Sequence, residues 1–295
     1  MTHSSLPETL PFAKGHGTQN DFVILDDPDA SLPLSAASVA ALCDRRAGIG
    51  GDGLLRVARA GALLRAGVID HLDEGIEEST MFMDYYNADG STAEMCGNGT
   101  RVFAHWVALQ GYEQSKEFSV GTRAGAKQVV VHEYSETSAD VSVEMGFAEV
   151  TGLSTCTVGS QHFAGLGIDV GNPHLACVIP GLDAQTLADL ELSQPTIDPE
   201  FFPHGVNLEI LTPLDQGRTH MRVFERGVGE TRSCGTGTVA AARSALADAG
   251  AVDGEVTVVV PGGEVHVVLE GQRSVLRGPS ALVATGTIQT ASLES

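Results

Sequence analysis

The chain has 295 residues, enough for two ordinary domains, each with its own buried core. Its 17 Lys and Arg against 38 Asp and Glu give a formal net charge of -21, which repels phosphate backbones and anionic lipid headgroups and excludes nucleic acid and membrane surfaces as partners. Five cysteines, Cys43, Cys96, Cys156, Cys177 and Cys234, form an odd set with no CxxC pair, which argues against a disulfide framework and against a metal site and fits a reducing cytoplasm.

From the N-terminus, Met1–Pro11 shows neither a positive n-region nor an apolar h-region, and no later run is apolar enough for a membrane span, so a soluble, cytoplasmic protein is expected. Phe22–Asp26 reads as a strand and Ala36–Arg45 as a helix. Asp70–Glu78 is acidic and is expected to form a solvated loop. A helix is expected over Arg101–Gln110, stopped by Gly111. Lys127–Tyr134 and Val141–Met145 follow as strands, and the polar break Ser135–Ala139 is where the chain is expected to cross between domains. Strands His174–Ile179, Asn207–Leu211 and Met221–Glu225 surround a short helix over Asp183–Leu190. A second helix follows over Val239–Ala249 before Gly250, and Val256–Val260 and Val265–Leu269 flank Pro261-Gly262-Gly263 as a hairpin. Many strands with one conspicuous helix per half indicate α+β rather than a doubly wound sheet.

The motif Cys-Gly-x-Gly-Thr occurs twice, as Cys96-Gly97-Asn98-Gly99-Thr100 and as Cys234-Gly235-Thr236-Gly237-Thr238, once in each half. Both copies precede a predicted helix, so each cysteine is expected at a helix N-terminus, whose unpaired backbone N–H groups stabilise an anion. Inverting a stereocentre by proton transfer requires a base on one face of a carbon and an acid on the other, and a thiolate with a thiol meets that need in both directions. A free thiol titrates near about 8.5, so bringing it to neutrality takes roughly 2 kcal/mol. A helix N-terminus supplies ~0.3–1 kcal/mol, approaching ~2 when partly buried, so a further partner is expected. His174 and Glu225 are the candidates for steering the thiol protons, although a structural histidine and a surface Glu225–Arg226 ion pair explain the same residues. The glycines after each cysteine leave N–H groups open to a substrate carboxylate.

In order along the chain, Lys14-Gly15-His16-Gly17-Thr18-Gln19-Asn20-Asp21-Phe22, Asn87-Ala88-Asp89-Gly90-Ser91, the Cys96 motif with Arg101, Gly171-Asn172-Pro173-His174, and Glu225-Arg226-Gly227-Val228-Gly229-Glu230-Thr231 through Cys234-Gly235-Thr236-Gly237 resemble diaminopimelate epimerase. The resemblance runs from about Phe12 to the C-terminus. It implies an enzyme without cofactor or metal that interconverts LL- and meso-diaminopimelate through paired catalytic cysteines, here Cys96 and Cys234. By the same resemblance Asn20, Asn87, Asn172, Asn207, Glu225 and Arg226 bind substrate, and Gly97, Asn98, Gly235 and Thr236 hold the reacting carboxylate. The implied fold is α+β, with two pseudo-twofold-related domains, each an antiparallel sheet or barrel wrapped around a central helix. The domains are expected at residues 1–136 plus 279–295 and at 137–278, with a final strand over Leu282–Gln289 crossing back, and a homodimer is implied. Two departures stand out: Gln19 precedes Asn20, and Gly53 replaces a glutamine that contacts substrate in the family. Residues Ala58–Glu78 match none of the motifs that carry the resemblance. The competing readings are a proline or hydroxyproline racemase-like enzyme, a thiol redox sensor or small-molecule-binding protein, and a cysteine acyl-transfer enzyme with His174 as base.

Overall fold

The computed structural model describes residues 6–293, which fold as α+β, mostly strand, in two units. The first unit holds the residues up to Gly17, Asp21–Val143, and those from Pro279 onward; the second holds Thr18–Asn20 and Glu144–Gly278. In chain order the first contains β1 (Thr9–Gly17), β2 (Asn20–Asp26), α1 (Ala36–Cys43), β3 (Gly53–Arg59), α2 (Ala60–Arg65), β4 (Met81–Asn87), α3 (Gly97–Leu109), β5 (Glu117–Val120), β6 (Lys127–Tyr134) and most of β7 (Ser138–Gly146). The second contains β8 (Glu149–Val158), β9 (Gln161–Asp169), β10 (Pro173–Val178), α4 (Ala184–Asp189), β11 (Thr196–Ile197), β12 (Asn207–Leu211), β13 (Arg218–Glu225), β14 (Gly229–Thr231), α5 (Gly235–Asp248), β15 (Gly254–Val260), β16 (Gly263–Glu270) and the start of β17 (Arg273–Gln289).

Most strand neighbours are antiparallel, with parallel exceptions at β2–β3, β10–β12 and β13–β15. Strand β17 pairs with β16 through Arg273–Arg277 and with β1 through Ala281–Gln289. In the first unit α3 packs against β1, β3, β4 and β6, and its residues Gly97–Ala108 are all buried. A helix buried on every side belongs to a core, and its one imidazole is satisfied there: the ring nitrogens of His105 lie 3.1 Å from Ser280 Oγ and 2.9 Å from Ser135 O. In the second unit α5 packs against β9, β10, β12, β13, β15 and β16, and its run of Ala240, Ala241, Ala242 and Ala245 lets those strands approach closely.

The polar residues of Ser135–Ala139 build the β6–β7 turn, where Ser135 N donates to Ser138 O at 2.8 Å and Ser138 N to Ser135 Oγ at 3.1 Å. The division falls inside β7, between Val143 and Glu144, and Thr18–Asn20 group with the second unit. The helices after the cysteines start at Gly97 and Gly235, four residues earlier than the apolar periodicity indicated. The acidic Asp70–Glu78 stretch is a loop, anchored by Ile69 and Ile76 beneath Ala58, Leu63 and Phe82. Among the described residues no helix is long and apolar enough to cross a membrane.

Candidate active site

Each motif cysteine is itself a helix N-cap, with extended backbone (φ -142, ψ 116 for Cys96; φ -127, ψ 123 for Cys234). The side chain of each accepts the N–H of the glycine three residues on: Gly99 N to Cys96 Sγ and Gly237 N to Cys234 Sγ, both 3.4 Å. A threonine then closes each turn, its Oγ1 donating to the cysteine carbonyl at 2.9 Å for Thr100 and 2.7 Å for Thr238. The repeated sequence thus folds into a repeated local structure, and in both copies the sulfur takes the place of the usual capping oxygen. Such a cap points the sulfur and the first-turn N–H groups the same way, the arrangement that stabilises a thiolate or a bound carboxylate.

The two copies differ in what lies around them. Five residues after Cys96 stands Arg101, fully buried, its Nε donating to Pro279 O at 3.2 Å; burial pulls its pKa down to about 10, opposed by Cys96 and Asp140. The matching residue after Cys234 is Val239. Cys234 is buried, and its thiol is pushed well above the ordinary range, first by burial and then by the charges of Glu225 and Glu209; Thr236 Oγ1, 3.5 Å from the sulfur, and the Gly237 N–H act in the opposite direction. The helix end alone therefore leaves Cys234 a thiol.

The second unit gathers most of the other expected residues through β10, β12 and β13. His174 is fully buried between Asn172 Oδ1, 3.0 Å from Nε2, and Glu209 Oε1, 2.7 Å from Nδ1. Asn207 Oδ1 accepts the backbone N–H of Arg226 at 2.8 Å, and Arg226 Nη1 donates to His204 O at 2.8 Å. Glu225 Oε1 accepts from Thr231 Oγ1. In the first unit Asn87 closes β4, its Nδ2 donating to Ser91 Oγ at 3.0 Å, and Asn98 is buried in the first turn of α3. Asn20 opens β2. Glu209 and Thr231 were not foreseen. The signal for Glu209 was available: one carboxylate inside the apolar run of Asn207–Leu211. Among the described residues no group of three or more His, Cys, Asp or Glu could hold a metal ion.

The model of the family described as diaminopimelate epimerase matches residues 12–151 and 167–283. The chain belongs to this family. It is 63% identical over 277 residues to the diaminopimelate epimerase of Corynebacterium aurimucosum, covering 94% of this chain and 99% of the relative. It is 59% identical over 284 residues to that of Rhodococcus erythropolis, covering 96% and 97%. In fold it is similar to a phenazine biosynthesis protein of Bacillus anthracis (TM-score 0.65, 12% identity, 96% of this chain and 99% of that one). It is also similar in fold to a hydroxyproline epimerase of Agrobacterium vitis solved with bound trans-4-hydroxy-L-proline (TM-score 0.61, 13% identity, 99% and 100%).

The two positions that the sequence resemblance singles out, Gly53 and Gln19, have distinct local surroundings. A Cβ at Gly53 would lie 2.5 Å from Tyr86 O and 2.7 Å from Tyr85 Cε2, so this backbone admits no side chain there. Gln19 belongs to a tight β1–β2 turn with Thr18, both at positive φ (65° and 49°). A β-branched residue rarely adopts that conformation, and here it is held by a 2.6 Å contact from Thr18 Oγ1 to Ser233 Oγ, with Gln19 Oε1 accepting from Arg232 Nε. Gln19 therefore serves the segment that leads into Cys234.

Proposed function

We propose that this protein interconverts LL- and meso-diaminopimelate by moving a proton at one carbon, with no bound cofactor or metal. The observation that carries the reading is the pair of N-capping cysteines with matched local geometry in a chain of this family. Cys96, with buried Arg101 behind its helix start, takes the α-proton from one isomer, and Cys234, which holds its proton tightly, delivers one to the opposite face. In the reverse direction the roles exchange. The N–H groups of Gly97 and Asn98, and of Gly235 with Thr236, hold the reacting carboxylate, which takes up charge as the carbon loses its proton. Asn20, Asn87, Asn172, Asn207 and Arg226 bind the substrate, suiting the distal amino acid end because an amide accepts from ammonium and donates to carboxylate while guanidinium grips a carboxylate with two N–H groups. His174 and Glu225 steer the thiol protons, and Glu225 also contacts substrate.

The domain division at residues 136/137 and 278/279, set beside compact-unit limits at 143/144 and 278/279, and a homodimer belong to the same reading and rest on the family, while a cytoplasmic location rests on the odd cysteine set without a CxxC pair. The rival substrate is proline or hydroxyproline, suggested by the fold shared with the hydroxyproline epimerase. Those substrates have one amino acid centre and no distal zwitterion, so they leave the asparagine and arginine set without a use. A chiral assay of purified protein with LL-diaminopimelate, L-proline and trans-4-hydroxy-L-proline side by side separates the readings. Turnover confined to diaminopimelate is expected; turnover of proline or hydroxyproline alone would replace the proposal.

A further inference from the structure

Strand β12 carries a carboxylate where its surroundings call for an apolar side chain. All five residues of Asn207–Leu211 are buried, and Glu209 has no exposure at all. A carboxyl in that place loses its hydration and needs a partner. Oε1 has one, Nδ1 of His174 on the neighbouring parallel strand β10, 2.7 Å away. The same oxygen lies 2.6 Å from where a side chain on Gly237 would begin, so it presses against the first turn of α5 beside Cys234. Among the described residues Oε2 has no hydrogen-bond partner. On the far side of the imidazole, Nε2–H donates to Asn172 Oδ1 at 3.0 Å, and Asn172 is half-exposed. The result is a line of contacts, Glu209 to His174 to Asn172, running from a closed interior toward solvent.

With Nε2–H committed to Asn172, one proton lies between Nδ1 and Oε1, giving either imidazolium with carboxylate or imidazole with carboxyl. The titratable groups facing Glu209 are His174 and Cys177 from β10, Glu225 from β13 and Cys234 at the start of α5. Burial, opposed by His174 and reinforced by Glu225, pushes the Glu209 carboxyl up to about 6.

The geometry points to Glu209 as a positioning residue of the epimerisation: it locks the His174 imidazole into one tautomer and orientation, and through it sets the amide of Asn172 toward the substrate. This rests on the reading above of Asn172 and His174 as groups of the substrate site. A residue that only fills the core would need no carboxyl, and an apolar side chain would fill the space without cost. Gly237 fits the same account, since the carboxylate can meet the helix start only where no Cβ intervenes.

Glu209→Gln tests the inference in the full-length protein, because it keeps the size and one hydrogen bond to Nδ1 but cannot balance an imidazolium. The readouts are the imidazole nitrogen shifts of His174 in 15N-histidine-labelled protein, kcat and KM with LL-diaminopimelate, and the thermal midpoint. Expected in Glu209→Gln are changed His174 ring-nitrogen shifts that report loss of the single tautomer and orientation, and a fall in kcat of ~10–100-fold with little change in KM. Glu209→Asp, which restores a carboxyl, should recover part of kcat. Unchanged His174 ring-nitrogen shifts and an unchanged kcat, with only a lowered thermal midpoint, would reduce Glu209 to a packing residue and overturn the inference. Should the wild type fail to turn over diaminopimelate, the proposed function falls, while the His174 ring-nitrogen shifts still support or refute the lock on the imidazole.

Discussion

Gly99 and Gly237 occupy the same place in the two motif copies, three residues after their cysteines, yet alanine should behave differently at each. At Gly99 an added methyl meets Leu55 Cδ2 at 3.3 Å, Cys96 Cβ at 3.4 Å and Phe22 Cζ at 3.5 Å, contacts that need only small adjustments. At Gly237 it meets Glu209 Oε1 at 2.6 Å and Cys234 Cβ and Sγ at 3.3 Å. A carboxylate oxygen could swing away if it were free, but this one is fully buried and bonded to His174 at 2.7 Å. Overpacking of this kind costs ~1–3 kcal/mol, whereas replacing glycine by alanine within a helix gains at most about 1 kcal/mol. Gly99→Ala should therefore be neutral or slightly stabilising, and Gly237→Ala should fall ~1–3 kcal/mol below it. That gap corresponds to roughly 3–10 °C in the thermal midpoint for units of this size. Since the displaced atoms are Cys234 Sγ and the Glu209–His174 contact, epimerisation should fall ~10²-fold in Gly237→Ala and far less in Gly99→Ala. Thermal unfolding and a chiral assay on both variants decide the matter; equal stability and equal activity would refute the close approach of Glu209 to the helix start.

Two further outcomes follow from the same geometry. Gly53→Gln is not accommodated, because its Cβ would lie 2.5 Å from Tyr86 O and the backbone would have to move; a loss of at least ~1–3 kcal/mol in urea unfolding is expected, and an unchanged midpoint would contradict it. Cys234 has a folded-state pKa above its unfolded one, chiefly through burial, so the unfolded chain gives up the proton first; stability is unaffected below about pH 8.5 and falls as pH rises beyond it. Relative to Cys234→Ser, the wild type should lose stability between pH 7 and pH 9.5, and parallel curves for the two proteins would count against a suppressed thiol.

The repeated cysteine motif was legible because both the thiol residue type and its position before a helix are local properties of the sequence. The helix-like runs were read four residues late for a local reason too: glycines at 97, 99, 235 and 237 carry no apolar periodicity, so the pattern begins only at Arg101 and Val239, while the cysteine caps open the helices earlier. The hairpin over Gly254–Glu270 was readable from its alternating valines and Pro-Gly-Gly turn. The β8–β9 hairpin was not, since Glu149–Asp169 is rich in small and polar residues, with Leu153 exposed, and its register comes from pairing rather than pattern. Glu209 shows a third kind of limit. Its place in an apolar strand marked it as unusual, but only the parallel pairing of β10 with β12 brings it to His174, 35 positions earlier.

In the proposed mechanism separate thiols act on the two faces of one carbon, and deuterium tracing tests that most directly. With LL-diaminopimelate turned over in deuterated water, the meso product should carry deuterium at the inverted carbon from the first turnovers, while the remaining LL substrate stays initially unlabelled; the reverse reaction should behave likewise. Equal early labelling of substrate and product would mean that a single exchanging base does the work, and the paired-cysteine mechanism would be wrong.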